Sequence, residues 1–261
     1  MGLTSPDKVD VFGVGISVID YEQACAAVLD AARAHRSLGL SALAVHGLME
    51  CVNDPSLAAQ VNSLAIVAPD GQPVRWAMNL LHATGLADRV SGPDLVDRVC
   101  AESARQGVSV YLYGSTEETA RACARALERR HVGLQVAGVQ PDRFREATPE
   151  EDEEDVRRIH ESGAGVVLVG RGCPRQERWV ADHQGTVSAA MLAVGAAFDY
   201  FAGNLRRAPA WMQRLGLEWL YRLCQEPRRL TRRYLATNSA FLARMGGELA
   251  RQRLGRGVKR L

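Results

Sequence analysis

Short apolar runs alternate along this chain with stretches that carry helical spacing. Val11 to Ile16 reads as a strand, and Tyr21 to Ala34 as a helix with Asp20 at its N-cap. Leu43 to Val45 reads as a short strand leading into a helix through Cys51. Leu64 to Ala68 reads as a strand that stops at Pro69-Asp70-Gly71. Gly92-Pro93-Asp94 opens a helix through Arg105. Val108 to Tyr113 is a strand, and Gly114-Ser115-Thr116 leads from it into a helix ending near Arg130. Leu134 to Val139, Gly165 to Val169 and Met191 to Val194 read as further strands. Thr148-Pro149, ahead of the acidic run Glu150 to Asp155, suits an N-cap and a first helical turn.

Strands alternating with helices predict an α/β fold: a Rossmann-like parallel sheet with helices on both faces. Runs such as Val166-Val167-Leu168-Val169 fit burial on both sides. After Gly203 the strand pattern stops, and two helical segments split near Pro227 follow. The expected organisation is an α/β domain over residues 1–205 and a C-terminal basic helical appendage over 206–261.

Composition changes this picture little, but charge changes it considerably. Apolar residues make up 47% of the chain and charged residues 24%, which excludes disordered, collagen-like and coiled-coil classes. No apolar run approaches the roughly 18 residues that a spanning helix needs. Met1 to Asp10 lacks a basic-then-apolar signal pattern, so secretion by that route is not expected. The six cysteines are scattered without a C-x-x-C pair, which argues against structural zinc and for reduced thiols in a cytosolic protein. From Arg206 to the end, 14 Arg or Lys face 3 Glu, whereas residues 1–205 carry 18 against 27 Asp or Glu. An acidic body with a basic tail fits an anionic partner, and a solvated helical face is the plainer alternative.

In parallel sheets ligands gather at the carboxyl ends of strands, and several junctions fall there. Asp70, at a strand end beside Gly71, is placed to act as a general base on a substrate hydroxyl; a plain turn Asp-Gly pair is the alternative. Gly114 and Ser115 offer an anion site built from backbone N–H groups, or an ordinary helix cap. Gly172 in Gly170-Arg171-Gly172-Cys173-Pro174 permits close backbone approach to a ligand, and Gln176 and Glu177 follow in the first helical turn. Gly195 and Asp199 close a fourth junction, with Arg207 after it; Asp199 suits pairing with an arginine better than catalysis. In the tail, Trp211, Leu215, Trp219 and Leu223 recur every fourth residue as an apolar stripe, which suits packing on the α/β domain or a membrane surface.

Taken in order, these motifs resemble a known family. The series is Pro69-Asp70-Gly71, Arg89-Val90-Ser91-Gly92-Pro93-Asp94-Leu95, Gly172-Cys173-Pro174-Arg175-Gln176-Glu177, Val194-Gly195-Ala196-Ala197-Phe198-Asp199 and Arg207-Ala208-Pro209. It ends with Leu217-Glu218-Trp219-Leu220-Tyr221-Arg222-Leu223 and Glu226-Pro227-Arg228-Arg229. Together they resemble the WecG/TagA/CpsF glycosyltransferases. The resemblance implies an inverting, UDP-sugar-dependent hexosyltransferase that moves a hexose or N-acetylhexosamine, by default N-acetylmannosamine. The implied acceptor is an undecaprenyl-diphosphate-linked sugar in cell-surface polysaccharide synthesis. It implies action without a metal or other cofactor, a cytoplasmic protein peripheral at the inner face of the cell membrane, and no nucleic-acid partner. It is compatible with a homo-oligomer.

Carried onto this sequence, the resemblance makes Asp70 the base. It places Gln176 in the substrate pocket, and Arg222, Arg228, Arg229 and Arg232 over the diphosphate. Arg89, Gly114, Ser115, Gly172, Glu177, Gly195, Asp199 and Arg207 complete the candidate substrate-binding set. One departure stands out. The family's T-x-N motif is replaced by Ala42-Leu43-Ala44 at the same register, or by Ala44 and His46 after a short slip. His46 then either takes a polar role in the pocket or is a satisfied core histidine. Transfer to a soluble small-molecule acceptor remains an alternative, as does a nucleotide-binding oxidoreductase of similar fold. The latter lacks a full G-x-G-x-x-G, since Val18 follows Gly13-Val14-Gly15 where the third Gly belongs.

Overall fold

The computed structural model describes residues 6–258. The chain opens with a two-stranded antiparallel hairpin, β1 (Lys8–Val11) and β2 (Val14–Ser17). Sequence reading expects one strand across Val11 to Ile16. The chain instead reverses at Phe12-Gly13, both at positive φ, and the Gly13 N–H donates to Asp10 Oδ1 at 3.2 Å. That geometry matches the tight turns that suit strand twist. Gly13-Val14-Gly15 therefore lies in a hairpin and not at a strand-to-helix turn, so it is no dinucleotide fingerprint.

The next elements are α1 (Tyr21–Arg33), β3 (Leu38–Leu43), α2 (Val45–Asn53), α3 (Pro55–Ser63) and β4 (Ile66–Pro69). After them come α4 (Gln72–His82), α5 (Gly92–Gln106), β5 (Val110–Gly114), α6 (Glu117–Arg130) and β6 (Val136–Gln140). The α/β part ends with α7 (Pro149–Glu161), β7 (Val166–Gly170), α8 (Arg175–Asp182), β8 (Ala190–Ala193) and α9 (Ala197–Ala202). Local chemistry starts two helices as expected: Asp20 and Thr148 each close a capping box, with Gln23 and Glu151 as partners. The strand expected at Leu43 to Val45 begins earlier, at Leu38, and every residue of it is buried.

Six strands form one parallel sheet in the order β4-β3-β8-β7-β5-β6. Alternate side chains feed two cores. Leu168 and Leu192 join α1, α5, α6 and α9 on one face, while Val167, Val169 and Met191 join α2, α3, α4, α7 and α8 on the other. The chain leaves β8 toward the first face and leaves its neighbours β3 and β7 toward the second. Departures to opposite faces mark the carboxyl ends of β3, β8 and β7 as the place where open α/β sheets form a ligand crevice.

Beyond Gly203 lie α10 (Ala210–Arg214), α11 (Glu218–Gln225) and α12 (Pro227–Val258). Pro227 does break the helical run, but three helices follow Gly203 where two are expected, and α12 continues through Gly246-Gly247. Leu230, Phe241 and Met245 of α12 are buried, the last two in the core shared with α2 and α4. The bend at Gly216 sits against the Trp76 ring of α4, so close that a Cβ there would lie 2.7 Å from it. Of the apolar stripe, Trp211 is 55% and Leu215 59% exposed, so its first half does not pack on the α/β part. Among the described residues no helix is long and apolar enough to cross a membrane.

Gly114 lies where β5 and β7 converge, and a Cβ at this φ of +126 would sit 2.5 Å from the Gly170 backbone. Gly114→Ala should therefore cost about 2–4 kcal/mol, as overpacking and a positive φ combine. Urea unfolding measures it; a loss below about 0.5 kcal/mol would mean that the two backbones do not pack this tightly.

Candidate active site

Asp70 follows β4 directly. Its N–H donates to the Leu43 carbonyl at 3.1 Å, which ties it to the end of β3. Asp70 Oδ2 faces the Gly92 N–H at 3.5 Å, the start of α5. Gly92 itself presses on the Val194 carbonyl, where a Cβ would come within 2.7 Å, so this loop also abuts the end of β8. Burial pushes the Asp70 carboxyl up to about 6, against the pull of Arg89 and with repulsion from Glu218 and Asp94 added. A carboxyl so tuned is half ionised close to neutrality, the range in which a base both accepts and holds a proton effectively.

Arg89 is the cation beside it, and it is 5% exposed. Its Nη2 lies 2.5 Å from Glu218 Oε2 of α11 and donates to Gln213 Oε1 of α10 at 3.2 Å. Arg207 approaches from the same segment and forks onto Asp94 at 2.6 and 3.0 Å. Gln213 Oε1 also accepts from Arg207 at 3.0 Å, and Glu218 Oε1 stands 3.8 Å from Arg207 Nε. Asp94 accepts further bonds from Ser91 and Tyr21, and this set holds its carboxyl down at about 2. Arg207 and Arg222 flank the Tyr200 ring at 5.7 and 5.8 Å; Tyr200 is a phenol pushed up to about 12 by burial.

The second half of the crevice is built by α8. Gln176 and Glu177 are each 2% exposed, so they form its floor and not its surface. Gln176 Oε1 accepts from the Gly195 N–H at 3.2 Å, and its Nε2 donates to Glu177 Oε1 at 2.8 Å. Ser41 of β3 donates to the same oxygen at 3.4 Å. Burial pushes the Glu177 carboxyl up; among the described residues Oε2 has no partner in hydrogen-bond geometry, with the weakly donating Cys173 thiol beside the carboxyl. Burial also pushes the Cys173 thiol well up, which fits an inert thiol and not a nucleophile. Gly172, at φ +78, has open space where a Cβ would stand.

His46 stands in the first turn of α2, at the end of β3. Its Nδ1 lies 3.5 Å from Glu50 Oε1 and, among the described residues, makes no hydrogen bond, which leaves that nitrogen open to a ligand. Ala44 caps α2 without any side-chain hydrogen bond, where a Thr hydroxyl would supply one.

The remaining candidates sit apart. The Ser115 N–H is spent on the Gly170 carbonyl at 2.9 Å, and Thr116 caps α6 through Thr119 N at 3.2 Å. This geometry favours the ordinary cap at Gly114 and Ser115. Asp199 accepts from Asn204 Nδ2 at 3.3 Å and forms no ion pair with an arginine among the described residues, contrary to expectation. It lines an outer groove with Glu226 and Arg229. Arg229 forks onto Glu226 at 2.7 Å, while Arg228 and Arg232 are exposed on α12 beside Leu235. Arg222 is thus the one appendage arginine of the four that reaches the Tyr200 cluster. Tyr21, Ser91, Asp94, Tyr200, Gln213 and Glu218 belong to the cluster without having been singled out from sequence. Ser91, Asp94 and Glu218 lie within quoted motifs, but nothing in a motif says what a residue pairs with.

Residues 9–256 match the model of the Glycosyl transferase WecG/TagA/CpsF family. The chain belongs to that family, and its catalytic class is glycosyl transfer.

The Glu177 carboxyl gives the floor a pH signature. Its folded pKa is raised, so its contribution to stability is full below the ordinary value of 4.5 and is lost as pH rises through the raised value. Gln at this position has no proton to lose. The melting temperature of Glu177→Gln relative to the parent should therefore climb as pH is taken from 4 to 8. A difference that stays flat or falls over that range would show that the carboxyl does not carry this strain.

Proposed function

We propose that the protein transfers a hexose or N-acetylhexosamine, by family default N-acetylmannosamine, from a UDP-sugar to an acceptor hydroxyl with inversion. Asp70 is the base. The acceptor oxygen attacks the anomeric carbon opposite the nucleotide, the new C–O bond forms as the bond to the diphosphate breaks, and Asp70 takes the hydroxyl proton. The observation that carries this is the placement of the Asp70 carboxyl at the end of β4, its backbone tied to Leu43 and its Oδ2 facing the Gly92 N–H at 3.5 Å, where burial pushes it up to about 6. Arg89, Arg207 and Arg222 supply positive charge on the side where a diphosphate leaving group would gather negative charge. Gln176, held by Gly195 and Glu177, offers its remaining amide hydrogen to the donor.

We read residues 206–261 as an appendage that closes this crevice, with residues 1–205 as the α/β domain it serves. The acceptor we favour is lipid-linked, at the inner face of the cell membrane. The exposed Trp211, Leu215, Trp219 and Leu220, with Trp76 and Leu80 of α4, supply an apolar surface, and Arg228 and Arg232 supply positive charge for anionic lipid.

A panel of UDP-sugars scored for slow hydrolysis, then for transfer to candidate acceptors, identifies the donor. With that donor, Asp70→Asn should lower turnover about 10²–10⁴-fold while UDP still raises the melting temperature. In the parent enzyme kcat/KM should fall tenfold per pH unit below about 6, since only the ionised carboxylate accepts a proton. Parent-like turnover in Asp70→Asn, or an acid limb near the ordinary 3.8, would remove Asp70 from the base role.

A further inference from the structure

We propose that Glu218 is a positioning residue that engages Arg89 and thereby sets the base strength of Asp70. The inference rests on Asp70 being the base of the proposed transfer. Glu218 comes from α11, distant in sequence from Arg89 and Asp70. Its Oε2 lies 2.5 Å from Arg89 Nη2 and its Oε1 3.8 Å from Arg207 Nε, with its side chain 17% exposed. A buried arginine with one carboxylate beside it would turn its full charge on that carboxylate and drag its pKa down by about 1–3 units. Here Arg89 has two carboxylates to serve. Glu218 takes the close contact, which leaves Asp70 with a shared cation and a like charge nearby.

Other groups act on Asp70 besides Glu218. The Gly92 N–H at the start of α5 and Arg89 favour the carboxylate. Asp94 on α5 opposes it. Tyr21 on α1 and Tyr200 on α9 are both phenols pushed up to about 12, so they stay neutral through the range in which Asp70 titrates. Glu218 comes from the appendage, and its ion pair with Arg89 links the appendage to the base. Its placement also explains why Gln213 bridges both arginines: Gln213 Oε1 accepts from Arg89 at 3.2 Å and from Arg207 at 3.0 Å, which fixes the two guanidinium planes around the Glu218 carboxylate.

Glu218→Gln removes the charge while keeping the shape and an acceptor oxygen for Arg89. Carbon-13 NMR titration of the Asp70 carboxyl, assigned by its loss in Asp70→Asn, reads the effect in the full chain without any substrate. The Asp70 midpoint should fall by about one unit or more from its parent value. Amide-exchange protection of Glu218 to Gln225 should stay as in the parent. An unmoved midpoint would overturn the proposal. So would a lowered midpoint with protection lost, because Glu218 would then be only a clamp whose release lets water reach Asp70. Parent-like turnover in Asp70→Asn would remove the base assignment itself and would leave this titration untouched, so the two ideas fail separately.

Discussion

Arg89 is the buried cation around which the site is arranged. A guanidinium taken out of water is costly unless carboxylates and acceptors surround it, and removing one partner of such a pair typically costs about 3–5 kcal/mol. Its partners come from three places in the chain: Asp70 after β4, Gln213 in α10 and Glu218 in α11. Satisfying Arg89 therefore requires the appendage to lie across the end of β4. The bend at Gly216, seated on Trp76, makes that approach possible, and Leu230, Phe241 and Met245 anchor α12 behind it.

The crevice has two halves with different physics. On the β4 side, ionised groups of both signs stand close together and part of the surface is open, so charges there respond to a ligand. On the β7 and β8 side, Gln176 and Glu177 are enclosed, and their hydrogen bonds to Gly195 and Ser41 leave little freedom. An enclosed, hydrogen-bonded floor under a charged rim suits the proposed donor, whose sugar offers hydrogen-bonding groups and whose diphosphate is anionic.

Much of this architecture is legible in the sequence, for reasons that are local. Helix caps at Asp20 and Thr148 are set by neighbours a few residues away. The strands are buried on both faces and read as apolar runs. The hairpin at Phe12-Gly13 is hidden because Val11 to Ile16 is apolar throughout, and only the positive φ values reveal the reversal. β3 is undercounted because Gly39 and Ser41 interrupt its apolar run, although both lie inside the sheet. The motif series names Asp70, Gln176 and Arg222, which the fold brings to one crevice. It does not separate them from Arg228 and Arg232, which share a helix with the buried Leu230 but face outward. Nor does it disclose Glu218 as the counter-ion of Arg89, since that pairing exists only once α11 has docked.

A single crevice across the ends of β4, β3, β8 and β7, covered by α11, would give UDP one footprint in hydrogen–deuterium exchange of the full chain. Protection should rise at Asp70–Gln72, Arg89–Asp94, Gly172–Glu177, Gly195–Ala197 and Glu218–Gln225, and should not change at Gly114–Glu118. Protection confined to Gly114–Glu118, with α11 unaffected, would place the nucleotide elsewhere, at the end of β5.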